Sequence, residues 1–500
     1  MNIEAVRPDG GGARLLADSS IYLLANVAAK IIGFVMIPFY ARFLSTDEYG
    51  VINLLELATT VVAIAFGLQA VGQSLTRIYN DTAADTRRAV VSTAIIGTVV
   101  LAGGIAVLAI AAAGPIAEAV GLDGQAALLR LAFAGMFLSS VSEVALVYQR
   151  MRNRVRFYLV YALITLVLNV GLNIALIGVL HQGVWGFVYS KLVVTGLGCA
   201  VLLTRIGRET GLAFRAGQAR ALARFAGPLV VSGGCTFAIH FSDRLFLAQV
   251  SRAEVGVYSM AYNFAFLLSV LIGDSFNKSW SVSLYGLASG PGWQSRFVGI
   301  GRWLVFVLGA GALGISLFGR DVLTVMVPAS YLPPPLLLPL LVFGYFLREV
   351  GDFFSSMLLI GIGSGLVGRI AVAGAALNLA LNALLIGRYG IWGAAWATFL
   401  TWAAYCVTCW LLARRVHQVA MPPWPLAWML AGSAGCLWLR WLADPGSAVA
   451  RLTLDTVGFI VFVGLAAALY LNTSERLAAW RLSGQTWQAA RGRIAGQVTF

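Results

Sequence analysis

Charged side chains interrupt long apolar runs at three places in this 500-residue chain, and their types define the chemistry on offer. Lys30 stands midway along the first run, with Asn26, Gly33, Phe34 and Ile37 on its helical face. His240 and Arg244 share a face of a later run and adjoin Asp243. Arg348, Glu349 and Asp352 lie in the middle of another, where Arg348 and Asp352 can pair at i,i+4. Lysine and arginine donate charge-assisted hydrogen bonds to phosphate oxygens, and these strengthen where water is excluded. Such cations suit an anionic group such as a diphosphate. A histidine beside an aspartate titrates near neutral pH and can carry a proton, and a hydrogen-bonded core histidine is the competing reading. For Arg348 and Asp352 a helix-holding pair is as good a reading as function. Lys30 has no acid on its own helix near its depth, which points to an unpaired cation facing a lumen. Glu56, Glu143 and Asp274 are single acids in other runs, while Arg130 and Lys191 stand near the ends of theirs and can snorkel.

The elements that hold these residues are set by the solvent. Hydrophobic residues make up 59% of the chain, charged residues only 11%, and mean hydropathy is +0.84. Soluble domains run roughly 45–50% apolar and about 25% charged, so soluble, disordered and disulfide-scaffold classes are excluded. Apolar runs near the ~20 residues needed to cross a bilayer recur about fourteen times. The weakest is 427–442, which is short and follows Met421-Pro-Pro-Trp-Pro425. The expected fold is an all-α polytopic membrane protein with two parallel six-helix lobes around a central cavity and two appended helices. Its expected divisions are a segment 1–18, a lobe 19–206, a linker 207–222, a lobe 223–413, two helices in 414–472 and a tail 473–500. No connection is long enough for a soluble catalytic domain, so an enzyme such as a glycosyl polymerase is disfavoured.

Orientation follows from the 35 Lys+Arg residues. Outside the apolar runs, 24 lie on alternate connections and 6 on the intervening ones, which places both termini in the cytoplasm. The net charge of +14 is thereby topological, and nucleic acid is not an expected partner. The run Arg150-Met-Arg-Asn-Arg-Val-Arg156 reads as a topogenic loop, with lipid phosphate binding as the alternative. The first apolar run is too long for a cleaved signal h-region. Cys406 and Cys409 stack at i,i+3 without a redox context and read as packing. No metal-ligand spacing and no phosphate-binding loop is present, so no metal or other cofactor is expected and direct ATP use is disfavoured.

The chain repeats itself. Asn169-x3-Asn173 followed by Gly183-Val-Trp-Gly186 matches Asn378-x3-Asn382 followed by Gly390-Ile-Trp-Gly393, and Glu48-Tyr-Gly50 matches Glu254-Val-Gly256. The shared offset is close to 207 residues. Six spans per repeat make the repeat parallel, an arrangement that serves alternating access. The asparagine pairs sit on one helical face and are expected to hydrogen-bond neighbouring helices in preference to substrate.

Several segments resemble the polysaccharide transporter family of the multidrug/oligosaccharidyl-lipid/polysaccharide (MOP) flippase superfamily. The stretch Asn26-x3-Lys30…Gly33-Phe34…Pro38-Phe-Tyr-Ala-Arg-Phe-Leu44…Glu48-Tyr-Gly50 is similar to its N-terminal signature. Asp243-Arg244…Glu254-x-Gly256-x-Tyr258 and the repeat end at Thr398 are similar to further family segments. The resemblance spans about 19–413. It implies a flippase that carries undecaprenyl-diphosphate-linked oligosaccharide repeat units across the inner membrane for lipopolysaccharide or exopolysaccharide assembly. It also implies polymerase and glycosyltransferase partners and a substrate-binding role for Lys30, with Arg244 and Arg348, the other deep cations, as further substrate-binding candidates. His240, Asp243, Glu349 and Asp352 are then candidates for coupling-ion residues. A multidrug cation antiporter and a lipid II flippase remain open alternatives. The arginine-rich first span of lipid II flippases is absent, with Lys30 in its place.

Overall fold

The computed structural model describes residues 36–83, 86–152, 154–274, 276–277, 280, 284, 292–361, 364–417, 421–443 and 447–470. Among them every regular element is helical. Residues 36–43 form a helix, α1. It is followed by α2 (Thr46–Ala65), α3 (Leu68–Asp81), α4 (Arg87–Ala111), the short α5 (Ala113–Ala119) and α6 (Ala126–Met151). Next come α7 (Val155–Asn173) with a π-helical turn at Ile174–Val179, α8 (Gly183–Thr210) and α9 (Ala216–Ala248). Helix α10 (Arg252–Leu268) also ends in a π-helical turn, Ser269–Gly273. The last are α11 (Trp293–Met326), α12 (Leu337–Gly361), α13 (Ser364–His417), α14 (Trp424–Ala443) and α15 (Ala448–Tyr470). Ten helices of the described residues are long and apolar enough to cross a membrane, and α14, over the weakest apolar run, is one of them. The chain is a multi-pass membrane protein.

The helices fall into two compact units. One holds residues up to Ser259 with Met326–Leu332 and Asn378–Ala394, and the other holds Met260–Val325, Pro333–Leu377 and Ala395–Phe500. In the first, α6 packs on α8 and α4, and α9 packs on α2 and α3. In the second, α14 packs on α15, and the π-helical turn of α10 meets α12.

The repeat seen in sequence becomes a repeated contact within the first unit. Ser45 caps α2 through a capping box: Glu48 N–H donates to Ser45 Oγ (3.2 Å), and Ser45 N–H donates to Glu48 Oε2 (2.8 Å). Glu254 N–H likewise donates to Ser251 Oγ at 3.3 Å in the first turn of α10. Each glutamate then reaches the glycine that starts the Gly-x-Trp-Gly turn of its own repeat. A Cβ on Gly183 (φ +54°) would lie 2.5 Å from Glu48 Oε1, and one on Gly390 (φ +51°) would lie 2.8 Å from Glu254 Oε2. Ile391 N–H donates to that same Glu254 oxygen at 3.1 Å. The two motifs are thus halves of one contact, made once per repeat.

Gly50 and Gly256 complete the pattern. A Cβ on Gly50 would overlap the Arg252 carbonyl oxygen, and one on Gly256 would overlap that of Thr46. The first turns of α2 and α10 therefore cross backbone to backbone, which only glycine permits. Tyr331 seals the same place by donating its hydroxyl to the carbonyls of Leu44 (2.9 Å) and Ser45 (2.6 Å). Gly256→Ala is expected to lower the thermal unfolding temperature in detergent, by overpacking worth about 1–3 kcal/mol. The same change at Gly435, a helical position with open space around it, is expected to raise it slightly, since alanine reduces the entropy of the unfolded chain.

Candidate functional site

Two charge clusters stand in the apolar interior, one in each unit. The first unit holds His240, Asp243 and Arg244 near the end of α9. Arg244 is 4% exposed; its Nε donates to Ser259 Oγ (3.0 Å) and its Nη1 to the His240 carbonyl (3.3 Å). The guanidinium also lies 5.3 Å from the centre of the Phe241 ring. Asp243 accepts from the Tyr258 hydroxyl (2.5 Å) and from the Arg244 backbone N–H (2.8 Å). One cation and one anion are buried together with hydrogen-bond partners from α10, which is the form in which hydrocarbon tolerates them.

The second unit holds Arg348, Glu349 and Asp352 on α12. Arg348 Nη1 contacts Glu349 Oε1 at 3.3 Å and its Nε lies 3.7 Å from Asp352 Oδ2. Nη1 also donates to Ser269 Oγ (3.3 Å), and the guanidinium lies over the rings of Tyr345 and Trp402. Asn277 Nδ2 donates to Glu349 Oε2 at 3.3 Å, and the Tyr405 hydroxyl donates to Asp352 Oδ1 at 2.8 Å. The local backbone explains how a carboxylate fits here. Ser269–Gly273 forms a π-helical turn, and Gly273 faces Glu349 so closely that a Cβ there would overlap its carboxylate. Such turns widen a helix locally and recur at functional sites. Glu349 is buried at 4% side-chain exposure, whereas Arg348 (23%) and Asp352 (31%) remain partly open. One arginine faces two carboxylates, so with all three ionised the trio carries a net charge of −1.

The remaining sequence expectations divide. Lys30 lies outside the described residues. Both asparagine pairs do tie helices. Asn173 Nδ2 donates to the Asn169 carbonyl (2.8 Å), and Ser190 Oγ on α8 donates to Asn173 Oδ1 (3.0 Å). Asn378 and Asn382 both engage Ser242 on α9 at 3.0 Å. Lys191 does not simply snorkel: its Nζ pairs with Glu56 Oε1 at 2.8 Å, from α8 to α2. The paired Cys406 and Cys409 are buried free thiols.

Among the neutral residues that satisfy the two clusters, sequence reasoning named Tyr258 only within a family motif and missed Ser259, Ser269, Asn277 and Tyr405. It also missed a network that joins α11 to the appended helices. Arg440 pairs with Asp321 and Asp455 (each 3.2 Å), and Arg451 pairs with Asp321 (3.2 Å). The available signal was that Asp321 and Asp455, like their arginine partners, interrupt apolar sequence.

The comparisons with known proteins match this architecture. The family model for polysaccharide biosynthesis proteins matches residues 39–283, which include the α2–α10 crossing and the Asp243–Arg244 cluster. Over those residues the chain is similar to polysaccharide biosynthesis proteins. A structure of the lipid II flippase MurJ in an inward closed conformation superposes with TM-score 0.72, at 12% identity over 89% of this chain and 98% of the other. An inward-facing multidrug resistance MATE family transporter of the MOP superfamily gives 0.60, at 18% identity over 78% and 95%. A Vibrio cholerae MATE transporter gives 0.52, at 16% identity over 81% and 96%. No curated protein matches by sequence. At these identities the structural likeness carries the fold.

Replacing Arg348 alone by methionine leaves Glu349 buried without its cation. We expect a loss of about 3–5 kcal/mol of unfolding free energy in detergent, with most of it recovered in Arg348→Met/Glu349→Gln. A double variant no more stable than the single one contradicts the pairing.

Proposed function

We propose that this transporter is a flippase for undecaprenyl-diphosphate-linked oligosaccharide repeat units. It would move them from the cytoplasmic to the periplasmic leaflet of the bacterial inner membrane, for lipopolysaccharide or exopolysaccharide assembly. The observation that carries the reading is the polysaccharide biosynthesis family match over 39–283. Deep cations support it, because a translocated diphosphate needs positive partners away from water. Lys30, Arg244 and Arg348 are the proposed headgroup contacts. Arg348 has its guanidinium partly open in this conformation, whereas Arg244 would have to exchange Ser259 and the His240 carbonyl for phosphate oxygens. The proposed movement is alternating access of the lobes 19–206 and 223–413, with both termini cytoplasmic. Polysaccharide polymerase and glycosyltransferases are the proposed partners.

The charge count at Arg348 supports a coupling role for its neighbours. An excess buried carboxylate is costly unless it takes up a proton or a monovalent cation. Glu349 and Asp352 are therefore proposed to exchange a coupling ion as Arg348 engages and releases phosphate, and His240 with Asp243 are the corresponding candidates in the first unit. A multidrug cation antiporter is the second reading, favoured by the same excess carboxylate and by the MATE fold. A lipid II flippase is the third, on the fold likeness to MurJ.

Reconstituted vesicles separate the three. The flippase reading expects transbilayer movement of a fluorescent undecaprenyl-diphosphate oligosaccharide, reduced at least roughly tenfold in Lys30→Ala and in Arg348→Ala, about 1.4 kcal/mol or more at the rate-determining step. Movement of lipid II in preference to that substrate would favour the third reading. Cation efflux that survives Lys30→Ala but is lost in Glu349→Gln or Asp352→Asn, without lipid movement, would replace both lipid readings by the antiporter.

A further inference from the structure

As a topogenic loop, the arginine-rich run 150–156 needs only to keep its charges on one side of the membrane. The structure does more with them. A cavity of about 570 Å³ in the first unit is lined by Arg87, Arg88, Arg152, Arg154 and Arg208, with Glu209, Tyr79 and Tyr148. These arginines come from three separate connections: the start of α4, the link from α6 to α7, and the end of α8. Glu209 is already committed, since both its oxygens accept from Arg154 Nη1 at 2.6 and 2.8 Å. Four guanidinium charges therefore face the cavity without a carboxylate from its lining to balance them.

The walls are built and not frayed. Tyr79 and Tyr148 belong to a buried apolar cluster with Leu75, Val90 and Leu202. Arg87 lies over the Tyr79 ring at 5.1 Å, and its Nε donates to the Thr82 carbonyl at 3.0 Å. The loop between α8 and α9 is fastened to α4, where Ser92 Oγ accepts from Ala213 N–H (2.9 Å) and donates to the Gly211 carbonyl (3.0 Å). Arg87 and Arg88 also occupy the first turn of α4, which has no acidic residue. Two cations at the positive end of a helix dipole are locally unfavourable, and a bound anion relieves the conflict.

The cavity continues into a second one of about 380 Å³, which shares Arg208 and Glu209 and is lined further by Phe157, Val201, Thr204 and Arg205. Arg205 lies over the Phe157 ring at 4.2 Å. Val160, Ile164, Leu197 and Val201 leave an exposed apolar surface on α7 and α8 beyond it. A soluble anion would use the arginines and leave that groove empty. A lipid uses both.

We propose that this pocket is a binding site for a phosphate-bearing anionic lipid. Its headgroup phosphate lies among Arg88, Arg152 and Arg208, and its hydrocarbon lies along the groove between α7 and α8. Basic pockets between transmembrane helices on the cytoplasmic side take anionic headgroups in this way. The site is separate from the Arg348 cluster and does not depend on which substrate the transporter moves. The lipid is either an anionic glycerophospholipid of the bilayer or the polyprenyl-diphosphate carrier, which share the phosphate and the chain.

The test is thermal unfolding of the full-length protein in detergent, titrated separately with phosphatidylglycerol, cardiolipin, undecaprenyl diphosphate, phosphatidylcholine and inorganic pyrophosphate. We expect stabilisation by the anionic lipids and not by phosphatidylcholine or pyrophosphate. The apparent affinity should fall roughly tenfold or more in Arg88→Ala/Arg152→Ala/Arg208→Ala, about 1.4 kcal/mol. Arg296→Ala/Arg414→Ala/Arg415→Ala removes the same charge elsewhere and should retain binding. Tighter binding of undecaprenyl diphosphate than of cardiolipin makes the site one for the carrier, and the reverse order makes it one for a bilayer lipid. Should the pocket triple fail to fold, Arg88→Glu and Val201→Glu probe the headgroup and chain positions singly, and both should weaken binding. Equal loss in pocket and control triples would overturn the proposal, as would pyrophosphate stabilising as well as the lipids or retained affinity in both single variants.

Discussion

Hydrocarbon offers no hydrogen bonds, so each polar group on a spanning helix must find its partner in the protein. Much of the described interior follows from that constraint. Ser190 answers Asn173, Ser242 answers Asn378 and Asn382, and Ser259 with Tyr258 answers the Arg244–Asp243 pair. Arg440 is held between Asp321 and Asp455. Each link is modest alone, of order 1 kcal/mol for neutral pairs in a membrane. Together they fix which helices touch, because apolar faces in lipid have little preference among partners.

The internal repeat shows the same logic at a turn. A glutamate three residues after a serine caps its own helix and then supports the glycine that begins the Gly-x-Trp-Gly turn. The contact occurs at Glu48–Gly183 and again at Glu254–Gly390. Conformational need and electrostatic need coincide there, since φ near +50° favours glycine and the absent side chain leaves room for the carboxylate. The asparagine ties are less symmetric. Asn173 is answered from α8 by Ser190, while Asn378 and Asn382 are answered from α9 by Ser242. The repeat has kept the residue type and changed the neighbour.

That difference marks how far the sequence could be read. The helical membrane class, the repeat and the charged positions were legible because each is a local property: apolar run length, spacing and residue type. Helix α14 was less legible, since its 20 residues begin at Trp424, inside the Pro-rich stretch that obscured its start. The partners were not legible. Tyr405 is 53 residues from Asp352 and Ser269 is 79 from Arg348, and nothing in their own neighbourhoods marks a neutral tyrosine or serine as the group that completes a charge cluster. Lys191 shows the limit from the other side: its position near a span end suited snorkelling, yet Glu56 across the bundle was available as a better partner.

The positive charge of the chain then acquires two different physical meanings. Charges that only set topology can be scattered, because the insertion preference acts on their side of the membrane and not on their mutual positions. Convergence is a separate constraint and carries a cost, since several guanidinium groups around one cavity repel one another. Arg87, Arg88, Arg152 and Arg208 bear that cost within one cavity, and Glu209, the carboxylate in its lining, is already bound by Arg154. Arg348 presents the opposite imbalance, one cation against two carboxylates. An excess of either sign in a low-dielectric site is compensated by something mobile. For the arginines that is the proposed lipid phosphate, and for the carboxylates the proposed coupling ion. The two imbalances stand in different units and call for different ligands, so a lipid held by the first can be varied in experiment without changing the second.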